Sequence, residues 1–374
     1  MKLPKDREDL QQRSETHLSN LEKINCMLAD ASIGLLVSDE ERKKYEAGKH
    51  EDYDDDDSGV KRRIDFSRKY LRRVFNNVCP PDYEIDMGGR FVGAWWQDSI
   101  PSEWRKRIWI NDELGIERDF WCMEVSVAYA AKGLDMREFF ARDRDDPYVL
   151  YEVGESHRKI TKQMFIIMLN SNNREEALGA INGYVQDDLN GELPEDFPDI
   201  EDVIQSFEQK HSAIESIYGK KKGLKRMFTE SRIAERVMLR LAVMNIPVLP
   251  VHDSFIVPAS AYYVLGDVMR AAFCEVTGQD CEITTEHPER PFSKPKEVPK
   301  AEYRTYFRLR DQWNPRSREI WKREEAKRHA EIIEILDRKL DEGNEAFQDG
   351  DEETSDRLYD EYTTVYQGLF GDPE

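Results

Sequence analysis

Long apolar runs are missing from this 374-residue chain. None approaches the ~20 residues that a membrane-crossing helix needs, so no spanning segment is expected. The start, MKLPKDREDLQQRSE, lacks the apolar centre of a secretory signal. Cysteine is scarce: Cys26, Cys79, Cys122, Cys274 and Cys281 are scattered, odd in number and never spaced as CxxC. That argues against a zinc site and for reduced thiols in a cytoplasm.

Positive charge is also in deficit. The formal net charge is −21, which taken as an average is hostile to nucleic acid, whose phosphates are bound by Lys and Arg. The acid is clumped, however. Segment 39–57 holds ten acids against four bases, 185–202 eight against none, and 331–374 fifteen against three, so the remainder is weakly basic. The bases gather in KRRIDFSRKYLRR (61–73), WRKR (104–107) and YGKKKGLKRMF (218–228). Such runs suit either a solvated face or phosphate contact.

The apolar spacing divides the chain into three. Residues 1–82 read as helical, with an acidic linker near 51–59 and then a basic amphipathic helix carrying Ile64, Tyr70, Leu71, Val74 and Phe75. In 83–290 the texture changes. MGGRFVGAWWQ (87–97) reads as a strand or extended turn and RIWINDELGIERDF (107–120) as a hairpin. Helices are expected over 124–135, over 156–173 with Ser156 as N-cap, over 229–245 and over 259–277, with an acidic loop over 183–200. Residues 291–374 form a proline-rich linker and an acidic helical tail. The fold class is α+β.

The stretch LPVHDSFIVP (249–258) sets a carboxylate, Asp253, at the tip of a predicted hairpin between apolar strands. Asp119 ends another predicted strand in IERDFWCMEV. Carboxylates with no base beside them in sequence suit Mg²⁺, which prefers hard oxygen ligands and borrows further ones from substrate phosphates. Each Asp alone also suits a turn or a cap. On the helix HRKITKQMFIIMLN, Arg158 and Lys162 stand at i, i+4, and Ile166 and Asn170 continue the row. Two cations, an apolar group and an amide in line suit a triphosphate at one end and a base with its sugar at the other. A plain surface Arg–Lys pair is the alternative.

The three stretches in this order resemble the palm and fingers of family A DNA polymerases and the phage-type single-subunit RNA polymerases. RDFWCMEVSVAY is similar to motif A, RKITKQMFIIMLN to the Arg-xxx-Lys helix of motif B, and VHDSFIVP to motif C. The resemblance covers about residues 84–280. It implies an antiparallel palm, a helical fingers insertion over about 136–228, and helical extensions at both ends, the N-terminal one able to serve as a reduced thumb. It implies nucleotidyl transfer from a nucleoside triphosphate to a 3′-hydroxyl. Asp119 and Asp253 would hold two Mg²⁺ ions, for which Mn²⁺ could substitute. Arg158 and Lys162 would neutralise phosphates, Lys162 also giving a proton to the leaving pyrophosphate. Ile166 and Asn170 would pack on the incoming nucleotide. His252 would stand by the primer end, and Arg90 and Gln97 by primer or template.

The departures bear on substrate. Glu124 matches the glutamate that crowds a ribose 2′-oxygen in the DNA enzymes, whereas Ser254 after Asp253 matches the RNA enzymes. DNA synthesis is favoured because Glu124 acts on the sugar. Asn170 stands where the family has Tyr, and Trp121 where it has a small residue. The expected protein is a template-directed DNA polymerase of a phage, plasmid or other mobile element. It would bind a primer–template and nucleoside triphosphates, with a replication partner on the acidic tail. Two alternatives stand beside it: a primase-like or single-subunit RNA polymerase or template-independent transferase, and a degenerate palm that only binds nucleic acid or a replisome.

Overall fold

The computed structural model describes residues 5–48, 63–76, 85–142, 144–214, 218–219, 222–285, 298–348, 351 and 354–358. The linker expected at 51–59, most of the proline-rich linker, Cys79 and residues 359–374 of the tail lie outside them. Among the described residues no helix is long and apolar enough to cross a membrane.

The chain opens with helix α1 (Lys5–Asp30), strand β1 (Ile33–Leu35) and α2 (Asp39–Glu46). A two-stranded ribbon follows, β2 (Arg72–Phe75) with β3 (Gly88–Val92), and then the short α3 (Trp95–Asp98). Strands β4 (Ile108–Ile110) and β5 (Glu113–Phe120) form the expected hairpin, turning at Asn111 and Asp112, both at positive φ. Helices α4 (Met123–Ala130), α5 (Arg158–Asn170), α6 (Arg174–Asp188), α7 (Ile200–Lys210) and α8 (Lys222–Val243) come next. The second hairpin, β6 (Leu249–Val251) and β7 (Ser254–Pro258), leads to α9 (Tyr262–Thr277), β8 (Ile283–Thr285), α10 (Arg304–Asp311) and α11 (Pro315–Gln348).

The larger sheet is antiparallel in the order β1-β4-β5-β7-β6, with β8 also pairing to β5. The long β5 is its axis. Its first half meets β4, its middle meets β7, and its last three residues meet β8. Two cores result. One lies between this sheet and α1, α8 and α9, and holds Ile24, Leu28, Trp96, Phe255 and Phe273. The other is helical, built from α4 to α7 around Tyr129, Phe165, Phe207 and Ile181. Such a mixture of helices and one antiparallel sheet is the expected α+β class. Residues of α1 and β1 sit in the sheet core, so the N-terminal segment packs as part of it.

Several local expectations are corrected. Residues 64–75 are not a helix but a turn followed by β2: Leu71 is buried while Tyr70, Arg72 and Val74 are exposed, the alternation of a strand. Helix α5 starts at Arg158, with His157 as its N-cap residue, so Ser156 caps nothing. The acidic stretch after Gly183 is helical as far as Asp188. Much of the concentrated base is structural. Arg105 pairs with Glu117 at 3.2 Å, Arg107 with Glu41 at 2.7 Å, and Arg73 with Glu235 at 2.6 Å. Trp95 and Trp96 are core residues, both fully buried.

Candidate functional site

Asp119 lies near the end of β5, flanked on both sides. It pairs with Ser254 on β7 and with Thr284 on β8. Asp253 immediately precedes Ser254, so the two carboxylate residues are neighbours across one ladder, where facing Cα atoms stand about 4.5–5.5 Å apart. The backbone is bent beside each. His252 holds the hairpin tip at φ 56°, and Cys122, the N-cap residue of α4, sits at φ 49°. These left-handed conformations are uncommon for residues with a side chain. Each reverses the chain within three residues of an aspartate.

Both aspartates open into a cavity of about 960 Å³ between the sheet and the helical core. Its opposite wall is α5, which presents Arg158, Lys162 and Ile166. Glu124 from α4, Arg90 from β3 and His252 also line it. The cavity therefore gathers residues drawn from 90 to 285 of the chain. Asn170 is not among them. It sits about 18 Å along α5 from Arg158, donates its amide to Ile166 O at 2.9 Å, and packs against Gly223 of α8. Gln97 reaches the lining but its amide is committed. It accepts from Ala94 N and donates to Phe91 O and Pro250 O, tying β3 to β6. Ser254 turns its hydroxyl to Glu117.

Three further residues complete the site. The first is Asp146. Its Oδ2 accepts from Arg158 Nε at 2.8 Å and sits 2.7 Å from Nη2, while its Oδ1 accepts from Tyr148 N. The guanidinium is thus oriented by a carboxylate fixed in a turn. The second is Tyr148, buried under the cationic row, with Arg158 and Lys162 each 5.5 Å from its ring centre. The third is Glu230. Because α8 begins at Lys222, Glu230 lies two turns inside it and faces the cavity. Burial pushes its carboxyl up to about 8, the charges of Glu124 and Asp253 adding to the effect and Arg90 and Arg226 opposing it. Burial likewise raises the Glu124 carboxyl above the usual carboxylate range, and Glu124 Oε2 is buried without a hydrogen-bond partner among the described residues.

The donor set suits one kind of metal. Among the described residues no three His, Cys, Asp or Glu side chains gather as a metal cluster, so the pattern of a closed protein cage is not met. Two half-buried aspartates on an open polar cavity fit Mg²⁺, which is held by one or two carboxylates and completes its shell with water and substrate phosphate.

No protein-family model matches the chain, and a search of curated proteins returns no match.

Proposed function

We propose that the chain is a nucleotidyltransferase that extends a 3′-hydroxyl from nucleoside triphosphates along a template, with deoxynucleotides favoured. One observation carries this reading: three stretches far apart in sequence bring two adjacent aspartates to face an Arg–Lys helix row across a single cavity. Phosphoryl transfer asks for positioning and for charge placed where it develops, and this arrangement supplies both.

Asp119 and Asp253 would hold Mg²⁺. A bound pair of such ions activates the attacking oxygen and stabilises the leaving one. Lys162 projects one turn beyond Arg158 and is exposed on the cavity side, placed to neutralise the β and γ phosphates and to give a proton to the departing pyrophosphate. Arg158, oriented by Asp146, presents its remaining N–H groups to the same anion. Ile166 offers an apolar surface to the nucleobase. Glu124 stands within the cavity where it would crowd a 2′-hydroxyl.

The test is extension of a labelled primer with Mg²⁺, comparing deoxy- and ribonucleoside triphosphates with and without template. Template-dependent extension with deoxynucleotides is expected, and Asp253→Asn should abolish it while nucleic-acid binding persists. Failure of the native chain to extend any primer, or extension by the Asp253→Asn chain, overturns the proposal. Extension with ribonucleotides alone would transfer the reading to RNA synthesis.

A further inference from the structure

The β2–β3 ribbon presents two unlike faces. Leu71 is buried, and Arg73 is held inward: its Nη1 donates to Glu235 Oε1 at 2.6 Å, and its guanidinium lies over the rings of Phe75 and Phe91, about 5 Å from each. That anchorage fixes which way the other face points. Tyr70, just before β2, and Arg72 and Val74 on it are exposed, Tyr70 by 53% and Val74 by 49%. Across the ladder, Arg90 pairs with Val74 and is exposed too. Neither Arg72 nor Arg90 has an ion-pair partner among the described residues, unlike Arg68, Arg73, Arg105 and Arg107 nearby.

Gly89 lets the ribbon lie close on α8, since a Cβ there would stand 2.7 Å from Ser231 Oγ. This close seating brings the ribbon to the cavity mouth. Arg90, Val92 and Gly93 line the cavity, and Arg72 Nε lies 3.3 Å from where a Cβ on Gly93 would be. The outward face therefore runs into the cavity without a break. Two guanidinium groups without an ion pair among the described residues thus stand near an exposed aromatic ring at this edge, Arg90 also acting through its charge on Glu124 and Glu230.

We propose that the outward face of the β2–β3 ribbon, through Tyr70, Arg72, Val74 and Arg90, binds single-stranded nucleic acid and leads it into the cavity. The inference rests on the reading that the cavity copies a nucleic-acid strand. An aromatic ring for base stacking with flanking cations for phosphate is the chemistry by which single strands are held without regard to sequence. The face is two strands wide, which fits a single strand better than the breadth of a duplex.

Fluorescence anisotropy with a labelled single-stranded oligonucleotide, and with its duplex, tests the proposal. Tyr70→Ala should weaken single-strand binding about 10-fold, and Tyr70→Phe, which keeps the stacking surface, should restore it. Arg72→Ala should flatten the slope of log affinity against log salt by about 0.7. Both side chains are exposed, so melting temperatures should hold. No single-strand binding by the native chain, unchanged affinity in the Tyr70→Ala/Arg72→Ala double variant, or a loss confined to duplex overturns it. A native chain that binds through the ribbon yet extends no primer would end the polymerase reading and leave this one standing.

Discussion

The two walls of the cavity are built by different means. The aspartates stand on a floor of paired strands, where β5 is gripped by β7 on one edge and by β8 on the other. The cations stand on a helix whose orientation depends on side chains: Asp146 on Arg158, Tyr148 beneath both cations, and His211 behind them. His211 Nε2 donates to Pro147 O at 3.0 Å, so its Nδ1 accepts from Tyr129 OH, and its ring stacks on Phe165. Backbone ladders fix positions that chemistry needs unmoving. A wall braced by side chains is the more yielding of the two. On the proposed reading the floor would carry the reacting centre and the wall would carry grip.

The largest break in this comparison is on the floor. Asp119→Asn should lower the turnover number about 10³-fold or more, with the melting temperature little changed, as single-turnover assays and thermal melts would show. A loss below tenfold would remove Asp119 from the chemistry. On the wall, Lys162→Ala should raise the triphosphate KM by about 10–100-fold, the worth of a charged hydrogen bond or two, with a smaller fall in kcat. An effect on kcat alone would mean that Lys162 acts only on the leaving group.

Acidity separates the walls in opposite directions. Burial lowers the His211 pKa to about 4 from an ordinary value of 6.5. The unfolded chain therefore takes up that proton first, and the helical core should lose stability as pH falls from about 6.5 towards 4. Glu230 is raised to about 8 from 4.5, so the folded chain holds a proton that the unfolded chain releases. Its contribution is present below about 4.5 and is lost as pH rises to 8. Melting curves across this range should show Glu230→Gln flattening the alkaline decline and leaving the acid one in place. Equal slopes in both chains would mean that Glu230 is not buried as described. The smallest effect expected is Gln97→Ala, which frees three hydrogen bonds between β3, α3 and β6 and should cost about 1–3 kcal/mol in denaturant titration.

What sequence revealed divides along the same line. The hairpin around Asp253 and the Arg158/Lys162/Ile166 row were legible because each rests on local periodicity, two for strands and near four for a helix face. Asn170 fell off the row because α5 leaves the cavity before its last turn. Residues 64–75 carried enough apolar groups for either period. The strand wins because Arg73 reaches a non-local partner, Glu235, 162 residues away. The tie of Asp146 to Arg158 was hidden for a related reason: a carboxylate's partner across a fold leaves no mark in spacing. Glu230 lies two turns inside α8 because that helix begins seven residues before the expected 229.

His252 and Cys122, the left-handed residues that line the cavity, carry a conformational cost. For any residue bearing a Cβ that conformation is disfavoured by about 1–2 kcal/mol, and glycine would be spared it. Glycine at either place would make a sturdier hinge and an emptier pocket. An engineer seeking heat resistance would begin there.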